Sequence, residues 1–258
     1  MSERTPIRAD APAQEAGWQL PTFDPMRPTL FSSWGRKGSG KSTFNRRIAR
    51  SWATWFDELV VDVNGDADPG PAAIPVRRDA AGLLPGAFPE AERLPGAPAP
   101  GPRTLVFRAD PGSATYADDL DRAVGMVLYP QTHRCLGWFG EIGEFTPNAQ
   151  STRPHMRRLL MQNRHYLASA LFDGPRPMNV DPLILGQSDY VAIFDLPNPA
   201  DRDRVANTIG WKPTLFDKEC DETFGRGEFW YLFYDAREHT LYRCPPLPPL
   251  QESAPAPR

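Results

Sequence analysis

Cysteine is scarce in this sequence, and its pattern excludes a disulfide framework. The 258 residues include three cysteines, Cys135, Cys220 and Cys244, an odd number with no CxxC pair. Small disulfide-stapled proteins instead carry an even number of cysteines and belong to oxidising compartments. We therefore expect a protein of a reducing, cytoplasmic environment.

Long apolar runs and metal-spaced histidines are also lacking. No stretch approaches the roughly 18 apolar residues that a membrane span requires. Residues 2–8 lack the apolar run of a signal peptide. The four histidines form no pair of the HExxH kind. The sequence thus predicts no membrane span and no transition-metal site.

Positive charge is not in excess. The formal net charge is −3, which excludes a generally basic surface that coats nucleic acid. Any contact with DNA then has to be local, in a groove or in the lumen of a ring.

Proline is the residue in surplus, with 30 copies, and it outlines the domain organisation. The length fits one α/β domain with a sizeable core. We expect a flexible arm over residues 1–28, a single domain over 29–244 and a proline-rich tail over 245–258. Residues 64–103 carry nine prolines and six glycines, which predicts a long surface excursion within the domain.

Lysine is rare, yet two of the four lysines lie in one glycine-rich loop, Gly35-Arg36-Lys37-Gly38-Ser39-Gly40-Lys41-Ser42. The loop matches the P-loop pattern GxxxxGK[ST], for which this composition gives on the order of 0.002 chance matches. Backbone N–H groups, a helix N-terminus and the lysine would together hold phosphates, and the serine would ligate Mg²⁺. We expect ATP and Mg²⁺ to be bound by Gly35, Arg36, Lys37, Gly38, Ser39, Gly40, Lys41, Ser42 and Thr43.

The flanking patterns give this loop its required context. Residues 29–34 read as a buried strand, and apolar residues from Phe44 to Phe56 recur at helical spacing. Further strands are predicted at 58–63, 104–108, 135–139, 166–172 and 190–194, with helices at 154–165 and 199–209 and a hairpin at 228–235 and 240–244. This alternation favours a three-layer α/β fold with a mostly parallel sheet and helices on both faces.

An acidic residue follows the strand at 135–139. Glu141 stands just past that buried run, where a general base would direct water at a γ-phosphate. Alternatively, it caps the strand or pairs with an arginine.

The order of these pieces resembles the FtsK/HerA-type DNA translocases, which include genome-packaging ATPases of tailless viruses and many phage ATP-binding proteins. The matching stretches are Phe139-Gly140-Glu141, Arg164-His165, Leu171–Pro177 and Ala192–Leu196. The resemblance covers most of residues 29–210. It implies a RecA-like ATPase that acts on double-stranded DNA as a homo-oligomeric ring, in the host cytoplasm if the chain is viral.

The chain departs from the family pattern at two positions. Gly140 stands where the family has its Mg²⁺-associated aspartate, and Pro175 stands where a glutamine often precedes Arg-Pro. Asp173 is therefore the substitute candidate for the polar sensor, and Ser42 and Asp62 are the expected metal-site residues.

Arginines cluster at positions 153, 157, 158 and 164. In ring motors an arginine from a neighbouring subunit commonly completes the ATP site, and Arg164 is the first candidate for that role. Arg157 and Arg158 could instead contact DNA phosphates. The plain alternative for all four is a solvated helix face.

Two other functions remain compatible with the same motif. A degenerate ATP-binding switch or assembly protein would keep the pocket and lack turnover, which the glycine at position 140 favours. A nucleotide or small-molecule kinase would need an acceptor-binding or lid motif, and none is recognisable in the sequence.

Overall fold

The structure of the protein is a computed structural model. It describes residues 13–17, 27–53, 55–65, 67, 69–70, 72–89, 101–129 and 134–248. Most of the predicted arm and tail, including Trp18 and Phe23, lies outside these residues.

Ten strands and six α-helices make up the described part of the chain. The strands are β1 Gln14–Glu15, β2 Leu30–Trp34, β3 Asp57–Asp62, β4 Ile74–Pro75, β5 Thr104–Arg108, β6 Cys135–Phe139, β7 Ser169–Gly174, β8 Tyr190–Ile193, β9 Tyr231–Asp235 and β10 Thr240–Cys244. The helices are α1 Lys41–Trp52, α2 Tyr116–Leu128, α3 Pro154–Tyr166, α4 Pro182–Gln187, α5 Pro199–Ile209 and α6 Pro213–Phe224. Within the described ranges, no helix combines the length and apolar character needed to cross a bilayer.

All ten strands join one sheet in the order β1-β10-β9-β8-β2-β7-β6-β3-β5-β4. The pairs β8-β9 and β9-β10 are antiparallel, and the other pairs are parallel. The central strand β2 lies between β7 and β8, so the loop that follows it opens at the middle of the carboxyl edge. Ligands of open α/β sheets bind at this edge.

Alternate side chains of β2 pack into two separate hydrophobic cores, one on each face of the sheet. Leu30 and Trp34 pack in the core beneath α2 to α6, whereas Phe31 packs in the aromatic core beneath α1. Successive side chains of a strand point to opposite faces of the sheet, which explains why β2 is buried along its whole length. The expected mostly parallel sheet with helices on both faces, and the C-terminal hairpin, are confirmed.

Element boundaries differ from the sequence-based expectation by a few residues, most at the starts of β7 and β9. Helix α3 continues through Tyr166, and β7 begins at Ser169, because Leu167 takes a left-handed conformation that ends the helix. Helix α6 has no counterpart among the elements predicted from the sequence. It begins at Pro213 and buries Phe216 and Cys220, which recur with Phe224 at the four-residue spacing typical of a helix.

The predicted arm and excursion both contribute to the sheet. Gln14 and Glu15 pair in parallel with β10, and Glu15 forms ion pairs with Arg226 and Arg243. The excursion supplies the edge strand β4 and buries Leu84 and Phe88 in the core. Among the described residues, 13–17 and 72–89 are therefore docked against the sheet and the core. The predicted bounds of the arm, the excursion and the tail stay predictions.

Candidate nucleotide-binding site

The P-loop runs directly from the end of β2 to the start of α1. Gly35 has a φ of 147°, and a Cβ there would lie 2.8 Å from Cβ of Phe194 and 2.9 Å from Oγ of Ser39. Only glycine fits that backbone position without displacing its neighbours. Gly40 has a φ of 105° and caps α1. The loop glycines are thus required by local geometry.

Lys41 lies across the loop rather than out in solvent. Its Nζ donates to the carbonyl oxygens of Gly35, at 2.6 Å, and Arg36, at 3.0 Å. This places the ammonium group in the concave side of the loop at the N-terminus of a helix, where a phosphate oxygen would be attracted by both charges.

The loop is bonded to the segment that follows β8, the strand on one side of β2. The Arg36 N–H donates to the Asp195 carbonyl at 2.9 Å, and the Arg36 guanidinium pairs with the Asp195 carboxylate. Ser39 Oγ is buried and has no hydrogen-bond partner among the described residues. A buried hydroxyl of this kind is available to a ligand oxygen.

A cavity of about 380 Å³ opens on the other side of the loop. Its lining includes the polar side chains of Lys37, Lys41, Ser42, Asp62, Asn64, Glu141 and Asp173. The structure therefore brings most of the predicted binding, metal and catalytic residues to one cavity at the carboxyl edge of the sheet. We call it the acidic cavity.

Asp173 sits at the centre of a buried hydrogen-bond network beneath this cavity. Its Oδ2 accepts from Asn45 Nδ2 at 3.0 Å and from Trp138 Nε1 at 2.9 Å, and its Oδ1 accepts from the Glu141 N–H at 3.4 Å. Burial raises the pKa of the Asp173 carboxyl, while the hydrogen bond from Trp138 and the charge of Lys41 act in the opposite direction.

The glycine at position 140 faces this carboxylate. A Cβ on Gly140 would lie 3.9 and 4.0 Å from the two carboxylate oxygens of Asp173. An aspartate at position 140 would therefore bring a second negative charge against Asp173. Gly140, directly after β6, and Asp173, on β7, are thus adjacent, and the carboxylate at this point of the cavity comes from β7.

Asp62 is farther from the loop. Asp62 ends β3, which lies three strands away from β2, or roughly 14 Å at the usual strand spacing. Asp173 lies on β7, which is the direct neighbour of β2. The Asp62 Oδ1 accepts from the N–H groups of Gly65 and Ala67, at 2.8 and 3.3 Å. Its Oδ2 lies 3.8 Å from Arg108 Nε. The carboxylate lines the acidic cavity but also holds the turn after β3.

Glu141 begins a tight turn at the end of β6. Its φ of 50° and ψ of 56° are left-handed, which is rare for a residue other than glycine. Non-glycine residues held in such conformations cluster at functional sites. The turn continues into a short 3-10 helix, Ile142–Glu144, whose Ile142 is buried and anchors it.

Arg164 lies at the opposite edge of the sheet. It precedes the start of β7, so it stands roughly 17 Å from the end where Asp173 lies. Its Nη2 is 3.8 Å from Asp189 Oδ1, and its side chain is 73% exposed. It takes no part in the P-loop site of its own chain.

Sequence reasoning did not identify three residues of the site. Asn45 and Trp138 hold Asp173, and Phe229 lies against the P-loop at Gly40. Asn45 lies on the same face of α1 as the buried Phe44 and Ile48. A polar side chain in that apolar face was the available signal.

The comparisons with known proteins agree with this architecture. The chain is similar in structure to the genome packaging NTPase B204 from Sulfolobus turreted icosahedral virus 2 in complex with AMPPCP, with a TM-score of 0.64 and 14% identity over 88% of this chain and 100% of that one. The complex with AMP gives a TM-score of 0.63 and 14% identity over 87% and 100% of the two chains. B204 from Sulfolobus Turreted Icosahedral Virus, described as a DNA-packaging ATPase, gives 0.57 and 14% over 86% and 100%.

The likeness lies in the fold rather than in the sequence. No family model matches the chain, and no curated protein gives a significant sequence match. Because the structural match spans the whole of B204, the expected resemblance to a packaging NTPase is confirmed at the level of the fold. The chain has the fold of a P-loop NTPase, with the GxxxxGK[ST] loop at the middle of the carboxyl edge of its sheet.

Proposed function

We propose that this protein is an ATPase of the DNA-translocase type that binds ATP on its P-loop and hydrolyses it at the acidic cavity. The observation that carries the proposal is the convergence of Lys41, Ser42, Glu141 and Asp173 on that cavity, although they come from three separate elements. The B204 structures with AMP and AMPPCP support nucleotide binding by this fold.

The residues present fit a magnesium ion. Mg²⁺ prefers oxygen ligands and usually keeps several waters, with one or two carboxylates and substrate phosphates. The Ser42 hydroxyl and the Asp173 carboxylate would hold it, with Asp62 farther along the same cavity. When bound, the ion neutralises charge on the β- and γ-phosphates.

Each polar group then has a defined role in hydrolysis. The loop N–H groups and Lys41 bind and orient the phosphates. Glu141 accepts a proton from water as the water oxygen attacks the γ-phosphorus, the bond to the bridging oxygen breaks, and ADP and phosphate are formed. Asp173 positions the Glu141 backbone through its hydrogen bond at 3.4 Å.

Asp173 also explains how the site can work with glycine at position 140. The acidic group that the family carries directly after this strand is here supplied by the adjacent strand β7, about 4 Å from a Cβ at position 140. This favours hydrolysis over a degenerate switch, because the missing carboxylate is relocated rather than lost.

A reciprocal exchange tests this assignment. We expect Asp173→Gly to lose the Mg²⁺-dependent part of ATP binding, and Gly140→Asp alone to give no gain, since its carboxylate would meet Asp173 within about 4 Å. The double variant should recover Mg²⁺-dependent binding in part. Calorimetry of ATP binding with and without Mg²⁺ measures this.

The matched control is Asp181→Gly, because Asp181 is a buried aspartate that caps α4 away from the cavity. It should leave the Mg²⁺ dependence unchanged. If Gly140→Asp alone tightens Mg²⁺-dependent binding as much as the double variant does, Asp173 is not the relocated acid.

The proposed working form is a homo-oligomeric ring around double-stranded DNA. No arginine lies beside Glu141 in sequence. Arg164 is exposed at the edge of the sheet opposite the P-loop, so it can reach only a nucleotide that is bound to a second copy of the chain. In such a ring each ATP site lies between two subunits. The ATPase rate with and without double-stranded DNA, together with the mass in solution, tests the assembly directly.

A mixing experiment tests whether Arg164 acts between subunits. Arg164→Ala subunits keep their P-loop, and Lys41→Ala subunits keep their arginine. Each variant alone should be inactive, and the mixture should recover part of the ATPase rate. Arg153→Ala is the control, because Arg153 directly precedes the same helix and forms an ion pair with Asp118, and this variant should stay active alone.

Two results would contradict the shared site. One is Arg164→Ala retaining the wild-type rate. The other is a mixture that recovers nothing while the wild type remains monomeric with ATP and DNA. If the wild type binds ATP but does not hydrolyse it, with or without double-stranded DNA, the protein is the degenerate ATP-binding switch instead.

A further inference from the structure

We propose that the P-loop has a nucleobase pocket on its other flank, and that Phe229 stacks on the base there. The proposal rests on nucleotide binding at the P-loop and adds where the nucleoside lies and how it is recognised. The pocket is an apolar cleft lined by Gly40, Thr43, Phe194, Phe229, Pro246 and Leu247. We call it the apolar cleft.

The two cavities lie on opposite sides of the same helix start. Ser42 lines the acidic cavity and Thr43, the next residue, lines the apolar cleft. Successive helical residues are rotated by about 100°, so a nucleotide held at this helix start can reach both cavities. Its charged end belongs with Lys41 and Ser42, which leaves the apolar cleft for the nucleoside.

The chemistry of the cleft suits the face of a base. Its volume is about 150 Å³, and apolar cavities of about that size take up a single aromatic ring. The walls come from aromatic rings and from the aliphatic side chains of Pro246 and Leu247. Every nucleobase offers the same π-face to such walls.

Phe229 has the features of a stacking residue. Its side chain is 49% exposed although it is a large apolar group, and its φ is +63°, an uncommon conformation for a bulky residue. A Cβ added to Gly40 would lie 3.3 Å from Phe229 Cδ1. The ring is therefore held out of the core and against the phosphate loop.

The floor of the cleft is rigid. Phe194 stacks on Tyr231 with ring centroids 5.2 Å apart, and Phe44 meets both rings edge-on, at 5.7 and 5.3 Å. These three residues are buried. A base entering between this floor and Phe229 would lose little to rearrangement of the protein.

The C-terminal segment closes the cleft on its remaining side. Residues 245–248 follow β10, and the Arg47 guanidinium of α1 donates to the Pro248 carbonyl. This contact keeps Leu247 beside the helix that starts at the P-loop. A proline-rich segment that composition alone assigns to a tail thus forms part of a ligand site.

Recognition through the face of a base predicts weak discrimination between nucleobases. We expect ATP and GTP to bind with similar affinity. Inorganic tripolyphosphate should bind about 5- to 150-fold more weakly than ATP, because it lacks the affinity that stacking of one base typically contributes. Calorimetry with the three ligands in the presence of Mg²⁺ measures both differences.

Variants of the cleft separate the base contact from the phosphate contact. Phe229→Asn tolerates the left-handed backbone and removes the ring, so it should weaken ATP binding towards the level of tripolyphosphate and leave tripolyphosphate unchanged. Phe229→Trp should keep the preference for ATP. Leu247→Ser should also weaken ATP binding. Trp55→Asn is the control, because Trp55 is 58% exposed and does not line the apolar cleft.

Each contrary result has its own meaning. If wild type binds tripolyphosphate as tightly as ATP, or Phe229→Asn leaves the ATP preference intact, the nucleobase pocket is wrong. If Phe229→Asn acts and Leu247→Ser does not, the base lies outside the apolar cleft and its placement is overturned. If wild type binds neither ligand, the proposed nucleotide binding itself fails.

Discussion

Replacing Lys41 by alanine is expected to weaken ATP binding by roughly 30- to 5,000-fold, as the loss of one partner of a buried, hydrogen-bonded charge pair typically does. The ammonium group lies within the loop, 2.6 Å from the Gly35 carbonyl, where a phosphate would face it and the helix N-terminus together. Calorimetry with ATP and Mg²⁺ is the measurement.

The chain offers a matched control for this change. Lys218 is one of the four lysines, it is 70% exposed, and it lies 3.6 Å from Glu222 on α6. Lys218→Ala should bind ATP as wild type does. Equal binding by wild type and Lys41→Ala would show that the P-loop is not the nucleotide site.

Changing Glu141 to glutamine is expected to preserve ATP binding and to slow hydrolysis by roughly the 10²–10⁴-fold that general-base catalysis supplies. Glutamine has nearly the same shape but accepts no proton from water. Its backbone can keep the hydrogen bond to Asp173, so the turn after β6 is retained. Single-turnover rates of phosphate release, measured beside the ATP affinity, separate chemistry from binding.

Glu144→Gln is the control on the same 3-10 helix. Glu144 accepts a hydrogen bond from the Tyr116 hydroxyl at 3.2 Å and does not line the acidic cavity. Its turnover should stay near the wild-type rate. A Glu141→Gln variant that hydrolyses ATP at the wild-type rate would remove Glu141 from the mechanism.

Local sequence patterns determined the P-loop and the order of the core elements. The GxxxxGK[ST] spacing needs no distant residue, because its glycines, lysine and helix start are consecutive along the chain. The strands at 30–34, 104–108 and 135–139 were also predicted with little error, since each is a short apolar run next to turn residues. Helix α6 was not predicted, although Phe216, Cys220 and Phe224 recur at helical spacing. The docking of residues 13–17 was not predicted because its partner strand β10 lies far away in sequence.

The tertiary structure decided which side chains share the site. In the sequence, Gly140 stands where the resembling family has an acid, and only the pairing of β6 with β7 shows that the Asp173 carboxylate lies within about 4 Å of a side chain at that position. Arg164 is close to β7 in sequence, but it precedes the start of that strand. It therefore lies at the edge of the parallel sheet opposite the P-loop. Phe229 and Leu247 are about 190 and 200 residues from Gly40 along the chain and meet it only in the fold. Sequence alone determines motifs whose groups act through consecutive backbone, whereas groups that act through space are assigned by strand order and packing.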